Sequence, residues 1–173
     1  AARNIGNTSD IIVKGGYGAT FVEGMVKYSN LPLGKFNVQS GVGSTLTNVI
    51  SFRNRSVFGE VANRAEVIPL ILSLGTDSDK PTIFEVITNP QTTSFLDWDY
   101  IDESSSLMEF CISDVPITGS VIAAFTVLGA SAAIDMQKIL EFQPPTVEFS
   151  VAARTTQGAA SDMIVSATWK EDL

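Results

Sequence analysis

The chain has 173 residues, of which 45% are hydrophobic and 17% charged, a composition that favours one folded domain over a disordered chain. Nineteen acidic residues against eleven basic ones give a formal net charge of −8, which disfavours binding to nucleic acid or to an anionic membrane surface. No run of about 18 apolar residues is long enough to span a bilayer. The first residues lack the apolar core of a signal peptide, which predicts a cytosolic N-terminus.

Histidine is absent and Cys111 is the single cysteine, and both facts restrict the chemistry of the chain. Without imidazole, the commonest general base at neutral pH is missing, together with every catalytic triad that depends on it. One thiol excludes an intrachain disulfide and zinc sites built from several thiolates. The apolar neighbours of Cys111 predict a buried side chain. We therefore expect no enzyme activity and no bound cofactor or metal.

Residues 1–45 are rich in Gly, Asn, Ser and Thr and contain two short apolar segments. Ile11, Ile12 and Val13 are β-branched and suit a short strand, and the second segment begins at Phe21. We interpret this part of the chain as an N-terminal arm or a loosely organised edge. A folded domain is then expected at residues 46–173.

From residue 48 onward, short apolar segments alternate with turns rich in Gly, Pro and Asp. Strands are predicted at 49–53, 65–74, 82–88, 107–112 and 121–128. Pro69 lies inside the second strand, which is therefore expected to be bulged or to run along an edge. The Asn89-Pro90 pair is expected to end the third strand. The strand at 121–128 is apolar on both faces, as in a strand that is buried on both sides.

Residues 130–142 fit a short helix as well as they fit a strand. Two strands of alternating apolar and polar residues are then predicted at 147–154 and 163–170, each with one face towards solvent. Residues 154–158 are expected to join them as a hairpin. About seven short strands and little helix predict an all-β fold, an antiparallel β-sandwich or jelly roll.

An acidic, aromatic loop separates two of these strands. Asp97, Asp99 and the nearby Asp102 offer oxygen ligands of the kind that calcium prefers, but the central Gly and distal Glu of a calcium-binding loop are missing, so a solvated loop is expected. Trp98 and Tyr100 suit either a platform for stacking a sugar or the rim of an interface. No spacing of carboxylates selects a pair for glycoside hydrolysis.

Several segments between Ile50 and Leu173 carry a family resemblance. They are Ser51-Phe52-Arg53-Asn54, the run from Val67 to Asp77, the run from Lys80 to Val86 with Thr88-Asn89-Pro90, and the end of the chain from Val151 to Thr155 and from Val165 to Leu173. In these segments the chain resembles a loosely defined group of tailed-bacteriophage virion proteins with a jelly-roll fold. The group includes capsid decoration (cement) proteins, head-fibre subunits and tail-fibre tips. The segments mark strands and turns, so the resemblance carries over no catalytic residue.

The resemblance implies a homotrimer, and the strand at 121–128 gives an independent reason to expect one. In a small two-layer fold the second apolar face of that strand must be covered, and a subunit interface would cover it. The residues expected at the interface are Val121, Ala123, Phe125 and Val127, together with Ile11, Ile12, Val13 and Phe21 of the arm. The alternative is that the arm of the same chain folds back over the strand.

The resemblance implies a capsid decoration protein, located in the virion and assembled in the cytoplasm of the bacterial host. Its expected partners are further copies of itself and the major capsid protein or other virion proteins. The alternative is a tail-fibre or receptor-binding subunit whose loop, with Asp97, Trp98, Asp99 and Tyr100, contacts a host surface glycan. A glycan-degrading enzyme and a bacterial lectin or pilus subunit are disfavoured, because the chain offers no carboxylate pair and no secretion signal.

Overall fold

The chain is all-β and forms two antiparallel sheets, consistent with a β-sandwich. The computed structural model describes residues 32–58, 61–62, 66–94, 96–128, 131–139, 147–157 and 159–172. In these ranges the strands are β1 Leu33–Val42, β2 Thr47–Asn54, β3 Val57–Phe58, β4 Val61–Ala62, β5 Glu66–Thr76, β6 Thr82–Thr92, β7 Asp99–Tyr100, β8 Met108–Cys111, β9 Ile117–Val127, β10 Ser131–Asp135, β11 Glu148–Thr155 and β12 Ser161–Asp172. In the same ranges, no helix has the length and apolar character needed to cross a membrane.

The first sheet has four strands in the order β1-β12-β5-β10. The second sheet has six strands in the order β7-β8-β2-β11-β6-β9, and β3 and β4 form a separate ribbon. Neighbouring strands pair antiparallel throughout. Among the described strands, the edges are therefore β1 and β10 in the first sheet and β7 and β9 in the second.

The main hydrophobic core is built from the inward side chains of both sheets. The Phe52 ring of β2 stacks on Phe149 of β11 with centroids 5.2 Å apart, and its centroid lies 5.7 Å from that of Trp169 in β12. Every second residue of β12 is buried, as the alternating sequence predicted: Met163, Val165, Ala167 and Trp169. Burial of a large apolar side chain contributes roughly 1.5–3 kcal/mol, so this alternation fixes which face of β12 points inward.

The long apolar strand β5 is irregular near Pro69, as the sequence predicted. The register of β5 against β12 shifts between Ile71 and Pro69, which leaves Leu70 as an extra residue. Pairing of β5 with β10 extends only to Ile71, so Pro69 has no β10 residue opposite it. Because proline has no N–H to donate, it is tolerated where the ladder is already interrupted.

Two predictions about strand ends were wrong. Asn89-Pro90 does not end its strand, because β6 continues to Thr92 through a register shift against β9, with Asn89 at a φ of 50°. The last two strands do not form a hairpin either. β11 pairs with β2 and β6 in the second sheet, whereas β12 pairs with β1 and β5 in the first. The segment between them therefore crosses from one sheet to the other.

The outward face of β11 is covered in its middle, contrary to the prediction, and is open to solvent only at Glu148 and Arg154 near its ends. Ser150 and Ala152 are fully buried. Ala152 belongs to a second, smaller apolar cluster with Ile87 and Ile117, against which Leu46 packs. The Ile117 amide donates to the Leu46 carbonyl over 3.1 Å. These residues cover the outside of the second sheet at this point, which local alternation in β11 cannot reveal.

Residues 33–42 lie within the segment 1–45 that the sequence analysis interpreted as an arm or a loosely organised edge. They form β1, which pairs with β12 from Leu33 opposite Trp169 onward. β1 is an edge strand, in keeping with the loosely organised edge considered for this part of the chain. The remaining arm residues, 1–31, lie outside the described residues.

The ambiguous segment at 130–142 combines both expected conformations. Ser131–Asp135 is the strand β10, and Met136–Lys138 follows as one turn of 3-10 helix. The Asp135 carboxylate accepts a hydrogen bond from the Gln137 amide over 3.2 Å and so caps the turn. Residues 140–146 lie outside the described residues.

Gly119 marks the closest approach of β9 to the irregular part of β6. Its φ is 152°, and a Cβ atom built on it would lie 2.6 Å from Ile87 Cγ2 and 2.9 Å from the Asn89 carbonyl oxygen. Only glycine combines this backbone conformation with so short a distance to neighbouring backbone.

We expect Gly119→Ala to lower the free energy of unfolding by about 2 kcal/mol or more, because the added methyl group meets backbone as well as a side chain. Thermal denaturation followed by circular dichroism should show a Tm reduced by roughly 4–8 °C. Gly43→Ala is the matched control, since no atom lies within 4 Å of a Cβ built there. Equal Tm values for the two variants would contradict the prediction.

Candidate functional site

The outer face of the first sheet is a flat surface of apolar and small side chains. Three cross-strand rows of four residues form it: Val38, Ile164, Gly75 and Ser131; Phe36, Ser166, Ser73 and Ala133; Gly34, Thr168, Ile71 and Asp135. The four large apolar residues of these rows are 44–67% exposed, with Phe36 the most exposed. Asp135 is the one charged residue in the three rows, at their margin. We call this surface the apolar face.

In the middle of β1, Phe36 and Val38 are exposed on the apolar face, whereas Lys35 and Asn37 are half-buried on the side towards the core. At the two ends of β1, Leu33 and Val42 pack against the core. The ammonium group of Lys35 lies 3.8 Å from the centroid of the Phe110 ring. The Asn37 side-chain amide donates a 2.7 Å hydrogen bond to the Val49 carbonyl. A one-residue change of register would exchange the two faces of a strand. The observed register therefore leaves Phe36 outside at the expense of placing polar groups inside.

β9 presents a second uncharged surface. Residues 115–134 contain no charged side chain. The exposed residues on β9 and just after it are Thr118, Gly119, Ser120, Val121, Ile122, Ala124, Thr126 and Leu128. The prediction that this strand is buried on both faces was therefore wrong for a single subunit. The reason is its place at the edge of the second sheet, where the described residues provide no further layer. We call this surface the β9 side.

The residues predicted at the subunit interface are placed differently from one another. Val121 is 50% exposed on the β9 side. Ala123 and Phe125 are partly buried and pack against the main core. Val127 is buried inside its own subunit and is not available to a partner. The four arm residues predicted at the interface lie outside the described residues: Ile11, Ile12, Val13 and Phe21.

The aromatic residues of the predicted ligand loop lie against two arginines of the second sheet. The guanidinium carbon of Arg53 is 4.3 Å from the centroid of the Trp98 ring. Arg55 lies at the same distance, 4.3 Å, from the Tyr100 ring. Such cation–π contacts hold each ring in one orientation. The structure thus brings Trp98 and Tyr100 together with two residues that the sequence analysis assigned no role.

The carboxylates of the same loop do not form a metal site. In the part of the chain that the structure describes, no group of three or more His, Cys, Asp or Glu side chains is placed to hold an ion. Asp97 and Asp99 are exposed. The Asp102 carboxylate instead accepts hydrogen bonds from the Ser104 hydroxyl and from the Ser104 and Ser105 amides at 2.8–2.9 Å. Hydrogen bonds from Ser104 and Ser105 lower the pKa of Asp102, so it stays ionised as the acceptor that shapes the turn.

Glu171 is a buried carboxylate that joins β12 to the start of β8. It accepts hydrogen bonds from the Ser106 hydroxyl at 2.7 Å, the Leu107 amide at 2.8 Å and the Trp169 indole N–H at 2.8 Å. Both carboxylate oxygens therefore have donors, which is what a buried charge requires. The network fixes the segment just before β8 against the first sheet.

Glu171→Gln is expected to lower the free energy of unfolding by about 1–3 kcal/mol. The glutamine NH2 group would face a donor in place of an acceptor, and so leave a buried N–H without a partner. Chemical denaturation monitored by tryptophan fluorescence measures the loss. Glu103→Gln is the matched control, because Glu103 is an exposed glutamate in the loop that precedes Ser106. An unchanged midpoint for Glu171→Gln would show that the network does not hold the two sheets together.

Cys111 is buried, as the sequence predicted. Burial raises the pKa of its thiol, so the thiol stays protonated at neutral pH and is a poor nucleophile.

The sequence analysis overlooked Phe36, Val38, Arg55 and Glu171. The alternation of apolar and polar residues along 33–40 was a usable signal for Phe36 and Val38, but the Gly-rich and Ser-rich surroundings pointed to an arm. Arg55 and Glu171 act through partners that lie far away in sequence, and nothing in their immediate neighbours marks them. Comparison of the chain with models of protein families, with curated proteins and with solved structures gave no significant match.

Proposed function

We propose that the chain is a structural protein of a tailed-bacteriophage virion, a homotrimeric capsid decoration (cement) protein that binds and stabilises the head. The observation that carries the proposal is the orientation of β1, with Phe36 and Val38 outside and Lys35 and Asn37 inside. This arrangement leaves two large apolar side chains of an edge strand in contact with solvent. Large exposed apolar surfaces of this kind are typical of proteins that bind other proteins.

The strand order supports a jelly roll as the fold of this subunit. When the short β3, β4, β7 and β8 are left aside, eight strands remain. Numbered along the chain, the first sheet takes strands one, eight, three and six, and the second takes two, seven, four and five. This interleaving of two sheets is the strand order of a jelly roll, a fold common in viral capsid and lectin domains.

The β9 side is the surface proposed for self-association. Identical subunits with a net charge of −8 repel each other unless the contact excludes charged groups. The β9 side largely meets that condition, since residues 115–134 are uncharged. The neighbouring Glu85, opposite Ala124, is paired with Arg154 at 3.5 Å, so the two charges offset each other. Among the described strands β9 pairs only with β6, so pairing with a neighbour would also protect its outer backbone edge, which otherwise favours uncontrolled aggregation. A closed ring of three subunits is the assembly that the family resemblance implies.

The apolar face is the surface proposed for contact with the head. It includes β1, the strand that directly follows residues 1–31, so it lies beside the point where the predicted arm joins the sheet. A trimer would present three such faces to the major capsid protein or another virion protein. Simultaneous binding of three faces raises the affinity well beyond that of one.

The proposal is tested with heads purified from the phage that encodes the chain. The protein should co-sediment with heads, and its copy number, measured by gel densitometry, should be comparable to that of the major capsid protein. Heads stripped of the protein should lose resistance to heat, and adding the protein back should restore it. A protein confined to tails, or stripped heads that are as stable as complete ones, would contradict the proposal.

A further inference from the structure

A concave region on the outer face of the second sheet has the composition of a ligand site. It consists of two adjoining hollows of about 500 Å³ and 570 Å³. Both hollows are lined by Arg53 and Glu148, which therefore form the boundary between them. Both hollows are shallow and open to solvent, as suits a ligand that lies along a surface. We call the two hollows together the arginine cleft.

One aromatic ring lines each half of the arginine cleft. Tyr100 belongs to the smaller hollow and Trp98 to the larger one. The guanidinium groups of Arg55 and Arg53 lie against these rings, so the ring surface left for a ligand is the opposite face or the edge. A ring held in this way presents apolar surface next to polar groups without losing side-chain freedom on binding.

Two arginines and two glutamates line the cleft, Arg53 and Arg55 with Glu109 and Glu148. The Nε atom of Arg53 is 2.6 Å from Glu109 Oε2, and one of its terminal nitrogens is 3.7 Å from Glu148 Oε1. Asp97 and Asp99 are close in sequence to the two rings and add negative charge. An anionic ligand would therefore meet carboxylates that oppose it, whereas an uncharged ligand would not.

Most of the remaining lining groups are hydroxyl and amide side chains, beside the apolar Val57, Pro90 and Leu96. The larger hollow is lined by Gln91, Thr92, Thr93 and Ser94, and the smaller one by Ser56 among others. Carboxylates accept hydrogen bonds from vicinal hydroxyls, and guanidinium groups donate hydrogen bonds to them. Hydroxyl and amide groups can do both. Aromatic surface beside such planar polar groups matches a hexose, which has an apolar C–H face and a rim of hydroxyls.

We propose that the arginine cleft binds a neutral oligosaccharide, with one sugar ring against Trp98 and another against Tyr100. Glu109 and Glu148 accept hydrogen bonds from sugar hydroxyls, and Arg53 donates to them. The cleft lies on the outer face of the second sheet, whereas the apolar face is the outer face of the first. A subunit attached through its apolar face would thus hold the cleft away from the shell, towards a host surface polysaccharide.

The experiment uses intrinsic fluorescence, because the chain has two tryptophans and Trp169 is buried. A change in emission on titration therefore reports on Trp98. The full chain is titrated with maltohexaose, cellohexaose, mannohexaose and chitohexaose up to about 10 mM, and with the anionic hexagalacturonate in parallel. At least one neutral sugar should bind with a Kd of about 1 mM or below, corresponding to roughly −4 kcal/mol or more favourable, and hexagalacturonate at least about tenfold more weakly.

Variants are then compared by isothermal titration calorimetry with the sugar that binds. Trp98→Ala should abolish binding, and Glu148→Gln, which keeps the shape of the side chain, should weaken it at least about tenfold. Phe36→Ala on the apolar face is the matched aromatic control and should bind as the original chain does. No response to any of the four neutral sugars, equal binding of hexagalacturonate, or full binding by both cleft variants would overturn the proposal. Head binding is measured in a separate experiment. A chain that binds no sugar can therefore still be a decoration protein, and a chain that does not bind heads can still bind sugar.

Discussion

Ala124→Lys is expected to convert the proposed trimer into monomers. Ala124 is exposed on the β9 side and lies opposite Glu85 in the β6–β9 pair. A lysine at this position has a carboxylate across the strand pair, so the fold of the subunit should be kept. In a trimer, however, each added ammonium group would be taken out of water at the contact. Removing a charge from water costs several kcal/mol, and Glu85, which already pairs with Arg154, offsets only part of that cost. Size-exclusion chromatography with light scattering measures the mass of the variant.

The matched control for Ala124→Lys is Ile112→Lys. Ile112 is also an exposed apolar residue, 45% accessible, but it lies outside both the β9 side and the apolar face. It should keep the mass of the unmodified protein. If Ala124→Lys kept that mass too, the β9 side would not be the surface of self-association.

Phe36→Asp is expected to abolish binding to heads while leaving the trimer intact. Phe36 is 67% exposed and stands opposite Ser166, so an aspartate there disturbs no packed neighbour within the subunit. Large aromatic side chains commonly dominate interfaces, and loss of one costs about 2 kcal/mol or more, roughly 30-fold in Kd for each contact. Three simultaneous contacts per trimer multiply the loss. Co-sedimentation with stripped heads measures it.

Ile112→Asp is the control for Phe36→Asp, and it should bind heads as the unmodified protein does. The two surfaces are separated by comparing Phe36→Asp with Ala124→Lys. The first should remain a trimer that does not bind, and the second a monomer that binds weakly through its single apolar face. If Phe36→Asp bound heads as strongly as the unmodified protein, the apolar face would not be the surface that binds heads.

The strands of the two sheets were largely predictable because their signals are local. The alternation of Met163, Val165, Ala167 and Trp169 identifies the inward face of β12, and Pro69 identifies the irregularity in β5. The pairing of strands was not predictable from the same signals. β11 and β12 follow one another and resemble a hairpin, yet each pairs only within its own sheet. Strands that follow one another in the chain tend to pair as a hairpin. Here that tendency is overridden because the two strands belong to different sheets that pack over one core.

The sequence indicated that the chain carries apolar surface, but it did not indicate which residues form that surface. Of the apolar residues at 121–128, Val121, Ile122 and Leu128 are exposed, whereas Val127 belongs to the core. The apolar face was missed because it is assembled from β1, β12, β5 and β10, which lie far apart in the chain. The same holds for the arginine cleft, where Arg53 meets Trp98 only after β2, β8 and the loop have come together.

Sedimentation equilibrium of the unmodified full chain tests the central claim, that exposed uncharged surfaces make this molecule bind to copies of itself. We expect a mass three times the 18.5 kDa of the chain, held over a wide range of protein concentration. A single species of 18.5 kDa at every concentration, with the apolar face and the β9 side both left in water, would contradict the claim.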